Sequence, residues 1–158
     1  MGVGSRGSTE SAHAPGFGFT GAISPYMHWA LRVALASTFL FHGLPKFPGI
    51  SAFAESNGLP LVVALLVPIA EVGGALLVLL GGISRGALGD LATRLGALAF
   101  IPVMVGAIAM VHWPRWSFEP SGTHPAGGME FQVILILLSI YLLVKGNDVA
   151  RRSSSTSA

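Results

Sequence analysis

The sequence predicts an all-α protein, a four-helix transmembrane bundle with flexible N- and C-terminal tails. Hydrophobic residues make up 52% of the 158-residue chain and charged residues only 10%, against about 25% charged in an ordinary soluble domain. The mean hydropathy is +0.69. A soluble domain of this size could not cover its surface with so few charges. The composition therefore excludes a soluble globular protein, a disordered chain and a nucleic-acid binder.

Four long apolar segments follow one another along the chain and are separated by turn residues. They cover residues 26–47, 59–80, 91–111 and 129–144. A helix needs about 20 residues to cross a hydrocarbon core about 30 Å thick, and inside that core a helix satisfies its own backbone hydrogen bonds without water. The first three segments are long enough, and the fourth needs Gly127 and Lys145 near the interfaces.

The two ends of the chain predict tails around one membrane domain. Residues 1–24 and 149–158 lack an apolar pattern, so we expect a domain over residues 25–148 between flexible tails. Four spans place both ends on one side of the membrane. That side holds most of the cationic residues, namely Arg6, Arg85, Arg94, Lys145, Arg151 and Arg152, against Lys46 and Arg115 on the other. The positive-inside rule then predicts a multi-pass protein with both termini in the cytoplasm.

Glu71 is the most informative candidate for chemistry, because it is the single charge in the second apolar segment. A carboxylate in mid-membrane costs at least about 2.5 kcal/mol, so it must face the bundle, find a partner or hold its proton. The functional interpretation is a proton-transfer group or a hydrogen-bond anchor for a polar ligand. The structural alternative is a buried tie to Arg32 or to a hydroxyl such as that of Thr38.

One face of the first segment carries three cationic or titratable groups. Arg32, Leu35, Phe39, His42 and Lys46 follow at intervals of three or four residues, which places them on one side of a helix. We expect this face to point inward, with His42 as a proton carrier. The alternatives are that Lys46 extends outward to the interface and that Arg32 faces headgroups.

Glu130 begins the fourth segment and is the third candidate for proton transfer. Its alternative role is to stabilise the positive end of the helix dipole, and Gln132 is expected to point elsewhere. His112 and His124 could join His42 around a metal or a haem, but the spacing matches no ligand motif. We expect interfacial histidines and no metal site.

Four features of the sequence resemble the DoxX family of small bacterial membrane proteins. Arg32 is followed by FLFHGLPKF at residues 39–47, and EVGGALL at residues 71–77 precedes a Leu-Gly-x-x-x-Arg pattern at residues 80–85. GGMEF at residues 127–131 is similar to the family's start of the last helix, and the spacing of the four segments also agrees. The resemblance implies a four-helix bundle in the bacterial plasma membrane. Many relatives end with a Gly-x-Gly and a Ser-Leu-Asp segment, of which this sequence matches only Gly146 and Asp148.

The resemblance also implies a function, because the family includes the small subunit of thiosulfate:quinone oxidoreductase and proteins linked to oxidative stress. We expect a subunit of a quinone-linked oxidoreductase, in which Glu71, His42 and Glu130 bind quinone oxygens and move protons. We assign Arg32, Lys46 and Phe39 to cofactor binding. The chain has no cysteine, so electrons need a bound carrier and a redox partner subunit.

Two other functions stay open at this stage. The protein could be a scaffold without catalytic activity that recruits a soluble redox enzyme to the lipid bilayer. A small transporter is less favoured, because four helices are few and no inverted repeat is evident. The sequence leaves open whether the chain forms homo-oligomers.

Overall fold

The structure is a computed structural model that describes Ile23 and residues 26–148. Apart from Ile23, the two predicted tails lie outside the described residues. The described part forms five α-helices and no strand: α1 Met27–Gly43, α2 Ile50–Ser56, α3 Leu61–Ile83, α4 Ala87–Ala107 and α5 Glu130–Lys145. A π-helical turn, Ile108–His112, closes α4. The all-α prediction is confirmed, and the short helix α2 is an element that the hydropathy pattern did not predict.

Proline and glycine set several of the helix ends. α1 ends at Gly43 and passes into a 3-10 turn, Leu44–Lys46, that contains Pro45. Proline fixes its own φ and lacks a backbone donor, so it favours this tighter turn over a continued α-helix. Gly146 follows α5 with φ +53°, a conformation that glycine adopts at low cost. The first apolar segment is therefore shorter as a helix than the predicted residues 26–47.

The helices α3 and α4 form the closest pair in the bundle. A methyl group added to Gly96 on α4 would lie 2.6 Å from the carbonyl oxygen of Gly74 on α3, so glycine is needed for this approach. α1 packs against α3, and α5 packs against α4. The rings of Phe39 on α1 and Phe100 on α4 stack with centroids 3.7 Å apart. α1 and α5 have little direct contact, which leaves space between them.

The outer surface of the bundle is apolar and its interior contains charges. Val62, Leu88 and Val144 are 71%, 80% and 63% exposed, whereas Arg32 and Glu71 are 0% and 2% exposed. A water-soluble protein rarely exposes large continuous apolar patches. This distribution fits a protein surrounded by lipid.

Two of the described helices are long and apolar enough to cross a membrane, Leu61–Ile83 with 23 residues and Ala87–His112 with 26. The helices α1 and α5 have 17 and 16 residues, which is fewer than the roughly 20 that a perpendicular span requires. Helix length therefore supports two spans. The four-helix transmembrane arrangement is not confirmed by helix length and stays a prediction.

Candidate functional site

The buried carboxylate of Glu71 forms an ion pair with the partly buried Lys46. Lys46 Nζ lies 2.7 Å from Oε1 and 2.6 Å from Oε2, and the side chains of Lys46 and Glu71 are 20% and 3% exposed. The partner of Glu71 is therefore Lys46, and not Arg32 or Thr38. The alternative in which Lys46 extends outward to the interface is wrong.

Local chain geometry explains how Lys46 reaches α3. The 3-10 turn after α1 directs Lys46 toward α3, and its ammonium group also donates to the carbonyl oxygen of His42 at 2.9 Å. Gly43 permits the close approach, because a methyl group there would lie 2.9 Å from Cβ of Glu71. Phe53 of α2 places its ring 5.6 Å from Lys46 Nζ, so the short helix contributes a cation–π contact.

A cavity of about 450 Å³ lies beside this ion pair, between α1 and α5 and against α3 and α4. Most of its wall is apolar. The lining residues are Thr38, Phe39, His42, Lys46, Glu71, Met104, Ala107, His112, Phe118, Ala126, Gly128, Phe131, Gln132 and Leu135. Its volume falls in the range of small-molecule sites, which are largely apolar with a few polar groups.

A second polar pair on the cavity wall joins the end of α4 to α5. His112 is buried, and its Nδ1 lies 2.9 Å from the carbonyl oxygen of Gly127. A carbonyl oxygen only accepts, so Nδ1 of His112 donates to it. Gln132 Nε2 lies 2.9 Å from His112 Nε2 and donates to it. The backbone of the loop thus fixes the orientation of both side chains.

Four of the predicted site residues line this cavity together: Glu71, His42, Lys46 and Phe39. Glu130, predicted as a proton-transfer group, is absent from the cavity wall. Its Oε2 accepts a hydrogen bond from the backbone N–H of Phe118 at 3.3 Å, so it holds the loop before α5. Gln132 lines the cavity instead. It points away from the face of Glu130, as expected, but the sequence did not predict that this direction leads to the cavity. Residues two positions apart in sequence are separated by about 200° around a helix. Glu130 and Gln132 therefore face opposite sides of α5.

Arg32, predicted to bind cofactor, also lies away from the cavity wall. It is fully buried, and its guanidinium donates to the Val78 carbonyl at 2.7 Å, to Thr93 Oγ1 at 2.9 Å and to Asn147 Oδ1 at 2.8 Å. Nε donates to His28 Nδ1 at 3.2 Å. We call Arg32, His28, Thr93 and Asn147 the Arg32 network. Arg32 lies ten residues before His42, about 15 Å along α1. The network joins α1, α3, α4 and the segment after α5.

His112 and Gln132 line the cavity, although the sequence predicted an interfacial histidine at position 112 and no site role for Gln132. Gln132, Leu135 and Ser139 recur at helical spacing, and this pattern could have indicated that the Gln132 face is inward. His124 lies apart, with Nε2 3.1 Å from the carbonyl oxygen of Trp113. The described residues contain no group of three His, Cys, Asp or Glu side chains that could hold a metal ion.

An apolar helical bundle with a partly buried ion pair beside a cavity between its helices defines a helical membrane protein with a polar site in its helical part. The chain belongs to the DoxX family, whose model matches residues 28–113. The match covers just over half of the chain and includes Lys46 and Glu71. The GGMEF motif at residues 127–131 lies beyond it. No curated protein and no solved structure matches the chain.

Proposed function

We propose that this DoxX protein is a membrane subunit of a quinone-linked oxidoreductase and binds a quinone ring in the cavity beside Glu71. The observation that carries the proposal is the Glu71–Lys46 ion pair, which lies partly buried on the wall of a mainly apolar cavity between helices. Replacing a buried ion pair by apolar residues is often neutral or stabilising. A charged pair that is retained inside a membrane bundle therefore suggests a functional site.

The cavity suits a flat amphipathic ring in size and chemistry. Phe39, Met104, Phe131 and Leu135 supply apolar walls, and His42 and Gln132 supply polar atoms. The gap between α1 and α5 gives a lipid-soluble molecule a lateral route from the bilayer. A bound quinone would supply two-electron chemistry that a chain without cysteine cannot perform with its own sulfur.

The residues of this chain have separate tasks in the proposed site. Lys46 stabilises negative charge at the carboxylate of Glu71 and at ring oxygens near it. His42 lines the cavity and is exposed at the end of α1, so it can exchange protons between the cavity and the surroundings. Glu71 accepts hydrogen bonds or a proton at the inner wall.

The proposed membrane topology has four spans. α1, α3, α4 with its π-helical turn, and α5 cross the plasma membrane of a bacterial cell, and α1 and α5 use their flanking residues to span a thinner region. Both termini lie in the cytoplasm, because Lys and Arg concentrate on that side. The cavity then lies toward the outer face, where a partner subunit or a substrate delivers electrons.

Mass spectrometry of the protein purified gently from its native membrane tests the proposal by measuring bound quinone and co-purifying subunits together. We expect stoichiometric quinone in the parent protein and its loss in Glu71→Gln. Glu130→Gln is the matched control, because it makes the same chemical change outside the cavity and should retain the quinone. A stable soluble partner without quinone would contradict the proposal and favour a scaffold.

A further inference from the structure

The cavity beside Glu71 has few unused hydrogen-bond donors. An ammonium group has three N–H bonds, and that of Lys46 contacts Glu71 Oε1, Glu71 Oε2 and the His42 carbonyl. Thr38 donates its hydroxyl proton to the carbonyl oxygen of Ala34 at 2.9 Å. Neither Lys46 nor Thr38 therefore has a proton left for a ligand.

The orientation of Gln132 leaves a buried acceptor without a partner. His112 donates from Nδ1 to the Gly127 carbonyl, and the amide nitrogen of Gln132 faces Nε2 of His112 and donates to it. Gln132 Oε1 is buried and has no hydrogen-bond partner among the described residues. A buried unsatisfied acceptor costs about 1–3 kcal/mol, so a donor from outside the chain would stabilise this arrangement.

The hydrogen-bonding positions on the cavity wall that are still unused are mainly acceptors. Gln132 Oε1, the Thr38 oxygen and the second lone pairs of the Glu71 carboxylate can accept, whereas the unused donors are one amide N–H of Gln132 and the ring of His42. Glu71 is already neutralised by Lys46, so a cationic ligand would find no unpaired carboxylate. The site therefore favours a neutral molecule that donates hydrogen bonds.

We infer that the cavity binds a neutral ring hydroxyl, as in a phenol or a quinol, in preference to the corresponding ether or carbonyl. The inference rests on the proposed function only in taking the ligand to be a quinone-class ring. For such a ligand it means that the reduced form binds more tightly than the oxidised form. By thermodynamic linkage, binding then makes the molecule easier to reduce.

A redox-inert pair of ligands tests the inference without oxidation during the assay. Radiolabelled 4-nonylphenol is bound to the full chain in detergent, and unlabelled 4-nonylphenol or its methyl ether, 4-nonylanisole, competes for the site. The two competitors differ in one hydroxyl proton. We expect the ether to need about tenfold higher concentration for half displacement. Gln132→Met, which keeps the length of the side chain and removes the acceptor, should reduce this ratio to about twofold.

The parent ratio and the bound quinone separate the two hypotheses. Equal competition by phenol and ether in the parent protein overturns the inference whatever the Gln132 variant does. Failure of 4-nonylphenol to bind also overturns it. In both cases the proposed function still depends on the quinone content of the purified parent protein, which is measured independently. An unchanged ratio in a folded Gln132→Met protein would overturn the role of Gln132.

Discussion

Arg32 and Asn147 are 115 residues apart in the sequence, and their side chains form a buried hydrogen bond of 2.8 Å. Asn147 also accepts from Thr93 Oγ1 at 2.8 Å and donates from Nδ2 to the Gly81 carbonyl at 2.8 Å. Its backbone N–H donates to Asp90 Oδ1 at 2.7 Å. One short side chain just beyond α5 thus connects α1, α3 and α4.

Removal of the Asn147 side chain should destabilise the bundle. Asn147→Ala leaves one N–H of the buried Arg32 guanidinium and the Gly81 carbonyl without these partners, and we expect a loss of about 2 kcal/mol. Denaturant titration of the purified protein in detergent measures the free energy of unfolding. Ser37→Ala is the control, because Ser37 is exposed and bonds only within its own helix. Equal losses in the two variants would contradict the stabilising role of Asn147.

The contact between α3 and α4 should depend on Gly96. Gly96→Ala places a methyl group 2.6 Å from the Gly74 carbonyl oxygen, where backbone must move, and overpacking of this kind costs about 1–3 kcal/mol. Gly73→Ala is the matched control, since a methyl group there meets nothing within 4 Å. Its better helix propensity should leave stability unchanged or slightly higher. Thermal unfolding in detergent compares the two, and a tolerated Gly96→Ala would refute the close approach.

The two partners of the buried ion pair should show strong coupling. Lys46→Met leaves the Glu71 carboxylate buried without its cation, and removal of one partner typically costs about 3–5 kcal/mol. The double variant Lys46→Met/Glu71→Gln removes both charges and should be more stable than Lys46→Met alone. A double-mutant cycle on the free energy of unfolding measures the coupling. Additive effects would mean that the two charges do not interact.

Glu130→Gln and Gln132→Met should separate the two faces of α5. Glu130 accepts one long hydrogen bond from Phe118 outside the cavity, so its amide variant should lose less than about 1 kcal/mol of stability and bind 4-nonylphenol like the parent. Gln132→Met should weaken binding of 4-nonylphenol with little effect on binding of 4-nonylanisole. Competition binding measures both variants. Weaker binding of 4-nonylphenol by Glu130→Gln would mean that Glu130 contributes to the binding site after all.

Hydropathy and turn residues predicted the long helices well, because each long apolar segment has a clear boundary. They missed α2, a helix of seven residues that is too short to show a strong apolar pattern. The helical spacing of Arg32, Leu35 and Phe39 correctly indicated an inward face, whereas His42 farther along the same face lines the cavity but is exposed. The spacing could not identify Lys46 as the partner of Glu71, because that pairing depends on the turn after α1.

The positions of Arg32, Glu130 and Gln132 relative to the cavity could not be predicted, for one physical reason. A sequence shows which residues share a helix face, and it does not show what that face contacts. Arg32 is inward, as predicted, but three of its four hydrogen-bond partners come from segments 46 to 115 residues away, and only His28 lies on the same helix. The charge of Glu130 predicted a site residue on α5, whereas in the structure Glu130 accepts a hydrogen bond from the loop and Gln132 lines the cavity.

The Arg32 network and the cavity share no side chain, which has a consequence for how this chain can evolve. Substitutions in the cavity wall can change what the protein binds while the Arg32 network continues to hold the helices together. Effects at well-separated sites tend to add rather than interfere. A new ligand preference can therefore arise through single substitutions, at Met104 or Phe131 for example. No compensating change in the Arg32 network is needed.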